Sequence, residues 1–222
     1  MSPNAARFET VRPGQHACLF YEDRTDQLTA VVSFIRNGLL RRERCVLLAD
    51  PLSINYAKHG LSRAGIDVER EVERAALQLT SDREYLVNGR FDGAAMVAFL
   101  ERAIAEAIDA GFTGLRGTGD VVWELGSGAD LDVIQEYGAS LSRLFRDGRL
   151  TGLCQYHRGA VPSRCLRRSL IAHNAVVLDQ VVCADNPFYQ RGAFGTDLAN
   201  EQLEHDTLLS MCGELRRVAK GA

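Results

Sequence analysis

The chain has 222 residues, of which 46% are hydrophobic and 25% are charged, and its formal net charge is -3. This composition predicts an ordinary globular protein with enough apolar residues to bury a sizeable core. A small negative charge provides no broad cationic field, so the composition argues against nucleic acid as a direct partner.

The six cysteines are scattered through mostly apolar segments, and none forms a CxxC pair. This spacing favours reduced, buried thiols over a secreted disulfide framework. No segment offers the roughly 20 consecutive apolar residues that a membrane span needs, and the first residues lack the layout of a signal peptide. We therefore expect a cytoplasmic protein without membrane association.

Strand and helix patterns alternate along the chain. The first strand is predicted at residues 16–21, and acidic residues after it supply N-cap chemistry for a helix that reaches about residue 39. Further strands are predicted at residues 44–49, 76–80, 113–118, 150–156, 175–178 and 180–183. Further helices are predicted at residues 51–64, 92–110, 130–145 and 163–173. Strands separated by such helices indicate βαβ units and a mostly parallel sheet.

Two other segments have distinct patterns. Residues 117–120, Gly-Thr-Gly-Asp, are predicted to form an exposed turn after the 113–118 strand. Residues 197–218 form a single amphipathic helix pattern. Such a terminal helix either packs back on its own domain or offers a face to a partner.

Six short motifs occur in an order that is typical of one family. They are GQHACLFYE at 14–22, ERCV at 43–46, GRFD at 89–92, LRGTGDVVW at 115–123, CQY at 154–156 and NPFY at 186–189. With these motifs the chain resembles, over roughly residues 12–190, the MEDS family, the methanogen/methylotroph, DcmR-type sensory domain of prokaryotes. One departure is Gly119-Asp120, where the family pattern leads us to expect Gly-Glu.

The resemblance implies an α/β fold similar to that of the RecA/KaiC ATPases, a three-layer sandwich with helices flanking a mostly parallel central sheet. It also implies a sensor of simple hydrocarbon derivatives such as small alcohols or halomethanes. We expect a flexible N-terminal arm at 1–13, the sensory domain at 14–190, and a linker with a C-terminal amphipathic helix at 191–222.

The turn after the first strand argues against ATP hydrolysis. A phosphate-binding loop needs glycines and a lysine around a helix N-terminus. Residues 21–26 contain no glycine and carry three carboxylates, which would occupy the positive helix end and repel a triphosphate. We expect no enzymatic activity and no cofactor. The sequence does not exclude that a nucleotide binds elsewhere on the chain.

Polar side chains on two strands form a first candidate site. His16 and Cys18 share one face of the first strand, because alternate residues of a strand point the same way. Cys154 and Tyr156 have the same spacing on a later strand. If the two strands are neighbours, these side chains form a polar patch in a small pocket, or a soft-metal or redox site. The alternative is that both thiols are simply buried small hydrophobes.

A second candidate site follows the 113–118 strand. Arg116, Asp120 and Trp123, the only tryptophan, are predicted at the C-terminal end of that strand, where open α/β sheets bind ligands. The alternative is that Arg116 pairs with Asp120 and that Trp123 is a core residue. The full candidate ligand-binding set is His16, Cys18, Tyr21, Arg116, Asp120, Trp123, Cys154 and Tyr156.

A zinc site would need three or four converging donors. His16, Cys18, Cys154 and His173 could supply them, but the sequence contains no short-range ligand pair, so no metal is predicted.

We expect a non-catalytic sensor that binds a small organic effector at the strand C-terminal ends. It would signal through the C-terminal helix to a histidine kinase, an anti-sigma-type regulator or a second copy. Any role in transcription regulation would need a separate DNA-binding protein, since no helix-turn-helix pattern is present. The alternatives are a metal- or thiol-dependent redox protein or enzyme that uses His16, Cys18 and Cys154, and a degenerate nucleotide-binding scaffold.

Overall fold

A central sheet with helices on both faces organises the computed structural model, which describes residues 10–121, 137, 141, 143–190 and 201–221. The strands are β1 (His16–Tyr21), β2 (Arg44–Leu48), β3 (Leu77–Thr80), β4 (Leu86–Val87), β5 (Arg90–Phe91), β6 (Leu115–Asp120), β7 (Leu150–His157), β8 (Ala175–Leu178) and β9 (Val181–Cys183). The helices of the described residues are α1 (Arg24–Leu40), α2 (Pro51–Arg63), α3 (Val68–Glu73), α4 (Gly93–Asp109), α5 (Ser163–Ala172) and α6 (Glu201–Gly221).

Seven strands form the main sheet in the order β3-β2-β6-β7-β1-β8-β9. All neighbours are parallel except β9, which is antiparallel to β8, while β4 and β5 form a separate hairpin. Strand β8 is apolar and buried along its whole length, as expected of a strand covered on both faces. The predicted α/β fold with a mostly parallel sheet is confirmed.

Aspartates cap the start of four helices, and at α1, α2 and α4 their sequence positions indicate it. The side chain of Asp23 accepts a hydrogen bond from the Asp26 amide at the start of α1. Asp50 accepts from two amides at the start of α2, and Asp92 accepts from the Ala95 amide at the start of α4. Each carboxylate satisfies an amide that the helix itself leaves without a partner.

The predicted turn at residues 117–120 is wrong. Strand β6 continues through Asp120, and its residues pair with β2 on one side and β7 on the other. Because both edges of the strand are hydrogen-bonded, the two glycines are held in an extended conformation despite their usual preference for turns.

Other differences concern element boundaries. Helix α3 and the β4–β5 hairpin have no counterpart in the sequence prediction. The predicted helix at 130–145 falls mostly outside the described residues. The described part of α6 is Glu201–Gly221, and the predicted start at 197 lies outside the described residues.

Helix α6 packs back on its own domain. It contacts α5, β8 and β9. Its buried side chains are Leu208, Met211, Cys212 and Leu215, which join a core cluster that also contains residues of β1 and α5. Within the described residues, no helix combines the length and the apolar character that a membrane-spanning segment requires. No disulfide joins the six cysteines, all of which lie in the described residues.

Candidate functional site

A cavity of about 110 Å³ lies over one face of the central strands. Gly117 of β6 and Gly152 of β7 both line it, and they are direct neighbours in the β6–β7 pairing. A Cβ atom added to Gly117 would meet no atom within 4 Å. Two adjacent strands therefore lack side chains at the same level of the sheet, and this gap creates the space.

The walls of the cavity are mostly apolar. Met96, Phe99 and Leu100 of α4 form one side, and Phe145 approaches from the segment before β7. Helix α5 lines the cavity with four residues, namely Cys165, Arg168, Ser169 and Ala172. An apolar lining with few polar groups is typical of pockets that bind small organic molecules.

Three residues, His16, Cys154 and His173, give the cavity a polar end. The Nε2 atom of His16 lies 3.2 Å from the Sγ atom of Cys154. Gly152 makes this contact possible, because it is the residue opposite His16 in the β1–β7 pairing and a Cβ there would lie 3.3 Å from the His16 ring. The imidazole therefore extends past Gly152 to reach Cys154.

The His16 ring is held by two aromatic neighbours. It stacks on Phe145 with ring centroids 4.3 Å apart, and its centroid is 3.9 Å from that of His173. The Nδ1 atom of His173 donates a hydrogen bond of 2.6 Å to the Ser169 carbonyl oxygen, since a carbonyl can only accept. The Nε2 atom of His173 is buried, and no group of the described residues forms a hydrogen bond with it.

Burial disfavours the charged form of both imidazoles. Burial, assisted by repulsion from His173, lowers the pKa of His16 well below its usual range. Burial also lowers the pKa of His173 to about 4, although the hydrogen bond to Ser169 opposes this shift. The polar end of the cavity therefore carries hydrogen-bonding groups and no histidine charge.

The prediction that His16, Cys18, Cys154 and Tyr156 share one face is confirmed by the parallel pairing of β1 and β7. Tyr156 lines the cavity, but Cys18 does not. The Cys18 thiol is fully buried in the core cluster beside β8, and burial raises its pKa well above the usual range. Cys18 therefore acts as a small core residue.

Tyr21 and Asp120 lie on the opposite face of the sheet from the cavity. The Tyr21 hydroxyl donates to the Asp120 carboxylate, and the Gln27 amide donates to Asp120 at 3.1 Å and to Gln155 at 2.8 Å. Gln155 in turn donates to the Thr118 hydroxyl at 2.8 Å. This polar network joins α1 to three central strands at the β1–α1 junction, and it does not contribute Tyr21 or Asp120 to the cavity.

Arg116 does not lie at the C-terminal end of its strand, and it does not pair with Asp120. Strand β6 begins at Leu115, so Arg116 lies near the strand start, where it is fully buried. Its Nε atom donates to Glu43 at 2.6 Å, and its guanidinium lies 4.5 Å from the centre of the Phe34 ring. Trp123 lies outside the described residues.

Sequence reasoning missed the glycines and α4 residues that shape the cavity. A signal was present, since Gly117 and Gly119 alternate along a strand, as residues on one face do. The sequence could not show that Gly152 would lie beside Gly117.

A family model described as MEDS, the methanogen/methylotroph, DcmR sensory domain, matches residues 15–174. The match begins just before β1 and ends after α5, so it includes His16, Cys154 and His173. A search of curated protein sequences returns no match to the chain. With the match extending over more than half of its length, the chain belongs to the MEDS family of sensory domains.

Proposed function

We propose that this chain is a non-catalytic sensor that binds a small, uncharged organic effector in the cavity over the central strands. The observation that carries this proposal is the combination of mostly apolar walls with the polar end formed by His16, Cys154 and His173. The proposed site is on the face of the sheet, whereas the sequence led us to expect it beyond the strand ends.

The size of the cavity supports a small effector. An apolar protein cavity of about 150 Å³ can hold benzene. A cavity of about 110 Å³ suits a smaller molecule with only a few non-hydrogen atoms. Simple alcohols and halomethanes, the class that the family resemblance implies, fall within this range.

The chemistry of the polar end supports an uncharged effector. Two neutral imidazoles and a thiol offer hydrogen bonds without a histidine charge. An ionised group would lose most of its hydration among the apolar walls, and His16, Cys154 and His173 offer it no counter-charge; Arg168, a cation that also lines the cavity, comes from α5 and is not one of these three residues. A hydroxyl or a polarised carbon–halogen bond would orient one end of the molecule toward His16 and Cys154.

Helix α5 connects the cavity to the C-terminal helix. Cys165 and Ser169 of α5 line the cavity, while other residues of the same helix pack against α6. Ser163 and His205 join the two helices by a hydrogen bond of 3.0 Å. Suppose that α5 and α6 move together between two positions. An effector that binds one of these positions better than the other would shift the equilibrium between them, by a free energy equal to the difference between its two binding free energies. A histidine kinase, an anti-sigma-type regulator or a second copy would then recognise α6.

The β1–α1 junction argues against nucleotide-dependent action. The Asp23 carboxylate already caps the first turn of α1. A phosphate group at this helix start would be repelled by the negative charge of Asp23, whereas phosphate-binding helices offer free backbone amides at this position.

Chemical-shift titration of the isotopically labelled full chain tests the proposal, with methanol, 1-propanol, acetaldehyde and dichloromethane as probes. We expect at least one probe to shift the amide signals of cavity residues. A Gly117→Val variant should weaken that binding at least tenfold, because its side chain fills the cavity without meeting protein atoms at Cβ. Gly213→Ala, in α6 and away from the cavity lining, is the matched glycine control and should bind normally. Unshifted cavity amides with all four probes, or normal binding by Gly117→Val, would contradict the proposal.

A further inference from the structure

Three potential metal ligands converge at the polar end of the cavity from separate parts of the chain. His16 comes from β1, Cys154 from β7, and His173 from the residue after α5. One ring nitrogen of each histidine and the Cys154 sulfur all lie within 4.8 Å of one another. A short-range ligand pair in the sequence is not needed, because the parallel pairing of β1 and β7 brings the donors together.

His173 is oriented as a metal ligand would be. Its Nδ1 atom donates to the Ser169 carbonyl, which leaves the lone pair on Nε2. That Nε2 atom is buried without a hydrogen-bond partner in the part of the chain that the structure describes, and His173 is only 3% exposed. Histidine ligands of metals usually donate their other ring N–H to a carbonyl or carboxylate in this way.

An unpartnered nitrogen in a buried imidazole also needs a physical explanation. Leaving such an acceptor unsatisfied is unfavourable, because it has given up its hydrogen bond to water without gaining another. Ring packing between His16 and His173 places the two imidazoles together but does not satisfy the lone pair of His173. A coordinated cation would satisfy it and would also use the neighbouring His16 nitrogen and the Cys154 sulfur.

We infer that His16, Cys154 and His173 bind one Zn²⁺ ion, with the fourth coordination position open to the cavity. Two imidazoles and one thiolate are ligands that zinc commonly takes, and three protein ligands leave one position for an exchangeable group. On binding, the Cys154 thiol releases its proton to solvent as the Zn–S bond forms. The 3.2 Å contact between His16 and Cys154 is close to the separations of about 3.4–3.6 Å that tetrahedral zinc imposes on such ligands.

The charge of the site changes when the ion binds. One thiolate and two neutral imidazoles around Zn²⁺ leave a net charge of about +1 at the polar end of the cavity. The open position could then bind a hydroxyl oxygen or another lone-pair donor on the effector. That last point rests on the proposed function, whereas zinc binding itself does not.

Metal titration of the chelator-treated full chain tests the inference. We expect one Zn²⁺ ion per chain in competition with a chromophoric chelator. Substitution by Co²⁺ should produce a thiolate-to-cobalt charge-transfer band in the near ultraviolet. Cys154→Ser should abolish that band, and His173→Ala should weaken Zn²⁺ binding at least tenfold.

The control is Cys212→Ala, which removes a buried thiol of α6 outside both the cluster and the cavity lining and should retain both the stoichiometry and the band. Circular dichroism verifies the fold of each variant. If Cys154→Ser or His173→Ala does not fold, the wild-type cobalt spectrum decides, since the band supports the site and its absence overturns it. Zinc binding without a sulfur band, or a band retained in Cys154→Ser, would also overturn the inference. Because this readout needs no effector, it is independent of the effector titration.

Discussion

Arg116 and Glu43 form an ion pair in the interior of the protein, with the guanidinium Nε 2.6 Å from the carboxylate Oε2 and side chains 0% and 3% exposed. The other carboxylate oxygen of Glu43 accepts from the Thr151 hydroxyl at 3.1 Å. The pair therefore links the segment before β2 to two central strands of the sheet, β6 and β7.

Removing one charge from this pair should strongly destabilise the fold. Glu43→Gln leaves the buried Arg116 cation without a counter-charge, and breaking such a pair typically costs about 3–5 kcal/mol. Urea denaturation measures the free energy of unfolding. The matched control is Glu84→Gln, at a surface pair with Arg102 whose side chains are 64% and 55% exposed, which should cost less than about 1 kcal/mol. Equal costs for the two variants would contradict the interpretation.

Gly38 of α1 is required because the helix passes very close to Arg116. A Cβ added at Gly38 would lie 2.4 Å from Arg116 Cδ and 2.5 Å from Cys45 Sγ. We expect Gly38→Ala to lower the free energy of unfolding by about 1–3 kcal/mol, as overpacked cores do. Gly213→Ala, in the open middle of α6, should instead raise it by about 0.5–1 kcal/mol. Stabilisation by both changes would show that Arg116 moves freely away from α1.

Stability should fall at alkaline pH partly because of Tyr21. Burial, and then the hydrogen bond to Asp120, raise the pKa of Tyr21 far above its usual value. Tyrosine in the unfolded chain ionises near pH 10, so above about pH 10 the unfolded state binds fewer protons than the folded state. The free energy of unfolding should therefore decrease by up to about 1.4 kcal/mol per pH unit for this group.

Tyr21→Phe should make that alkaline decline shallower. The variant should also lose about 1 kcal/mol at pH 7, because Asp120 loses a donor. Urea denaturation of both proteins between about pH 8 and 11 measures the two slopes. Identical slopes would show that Tyr21 ionises in the folded protein as readily as in the unfolded chain.

Among the described side chains of α6, Leu215 should make the most important apolar contact. It is 2% exposed within the core cluster, so Leu215→Ala should cost about 2–4 kcal/mol. Leu209 of the same helix is 48% exposed, and Leu209→Ala should change stability by less than about 0.5 kcal/mol. Hydrogen exchange adds a local readout, because Leu215→Ala should speed exchange in α6. Similar effects of the two variants would mean that α6 is not held by its packed face.

Local sequence chemistry was sufficient to predict much of the fold. Aspartates 23, 50 and 92 begin helices where the sequence placed them, because an N-cap depends on neighbouring amides alone. The shared face of His16 and Cys154 was equally predictable from the two-residue period of strands. The pairing of β1 with β7 that brings them together depends on residues more than 130 positions apart.

The errors come from the same non-local dependence. Gly-Thr-Gly-Asp has the composition of a turn, but two hydrogen-bonded neighbours keep it in β6. Arg116 carries a positive charge that is often used to bind ligands, but it pairs in the core with Glu43, which is far away in sequence. Neither partner could be identified from the residues around each motif.

Gly117 and Gly152, which lie side by side on β6 and β7 under the cavity, differ in how well they would tolerate a side chain. A methyl group on Gly152 would lie 2.8 Å from the Phe145 ring and would displace the aromatic stack on His16. A methyl group on Gly117 would enter open space. A single methyl or methylene changes discrimination in an apolar pocket by about 10–200-fold. If the cavity binds an effector as proposed, substitution of Gly117 should therefore change its selectivity, whereas Gly152 is constrained by its closeness to Phe145 and His16.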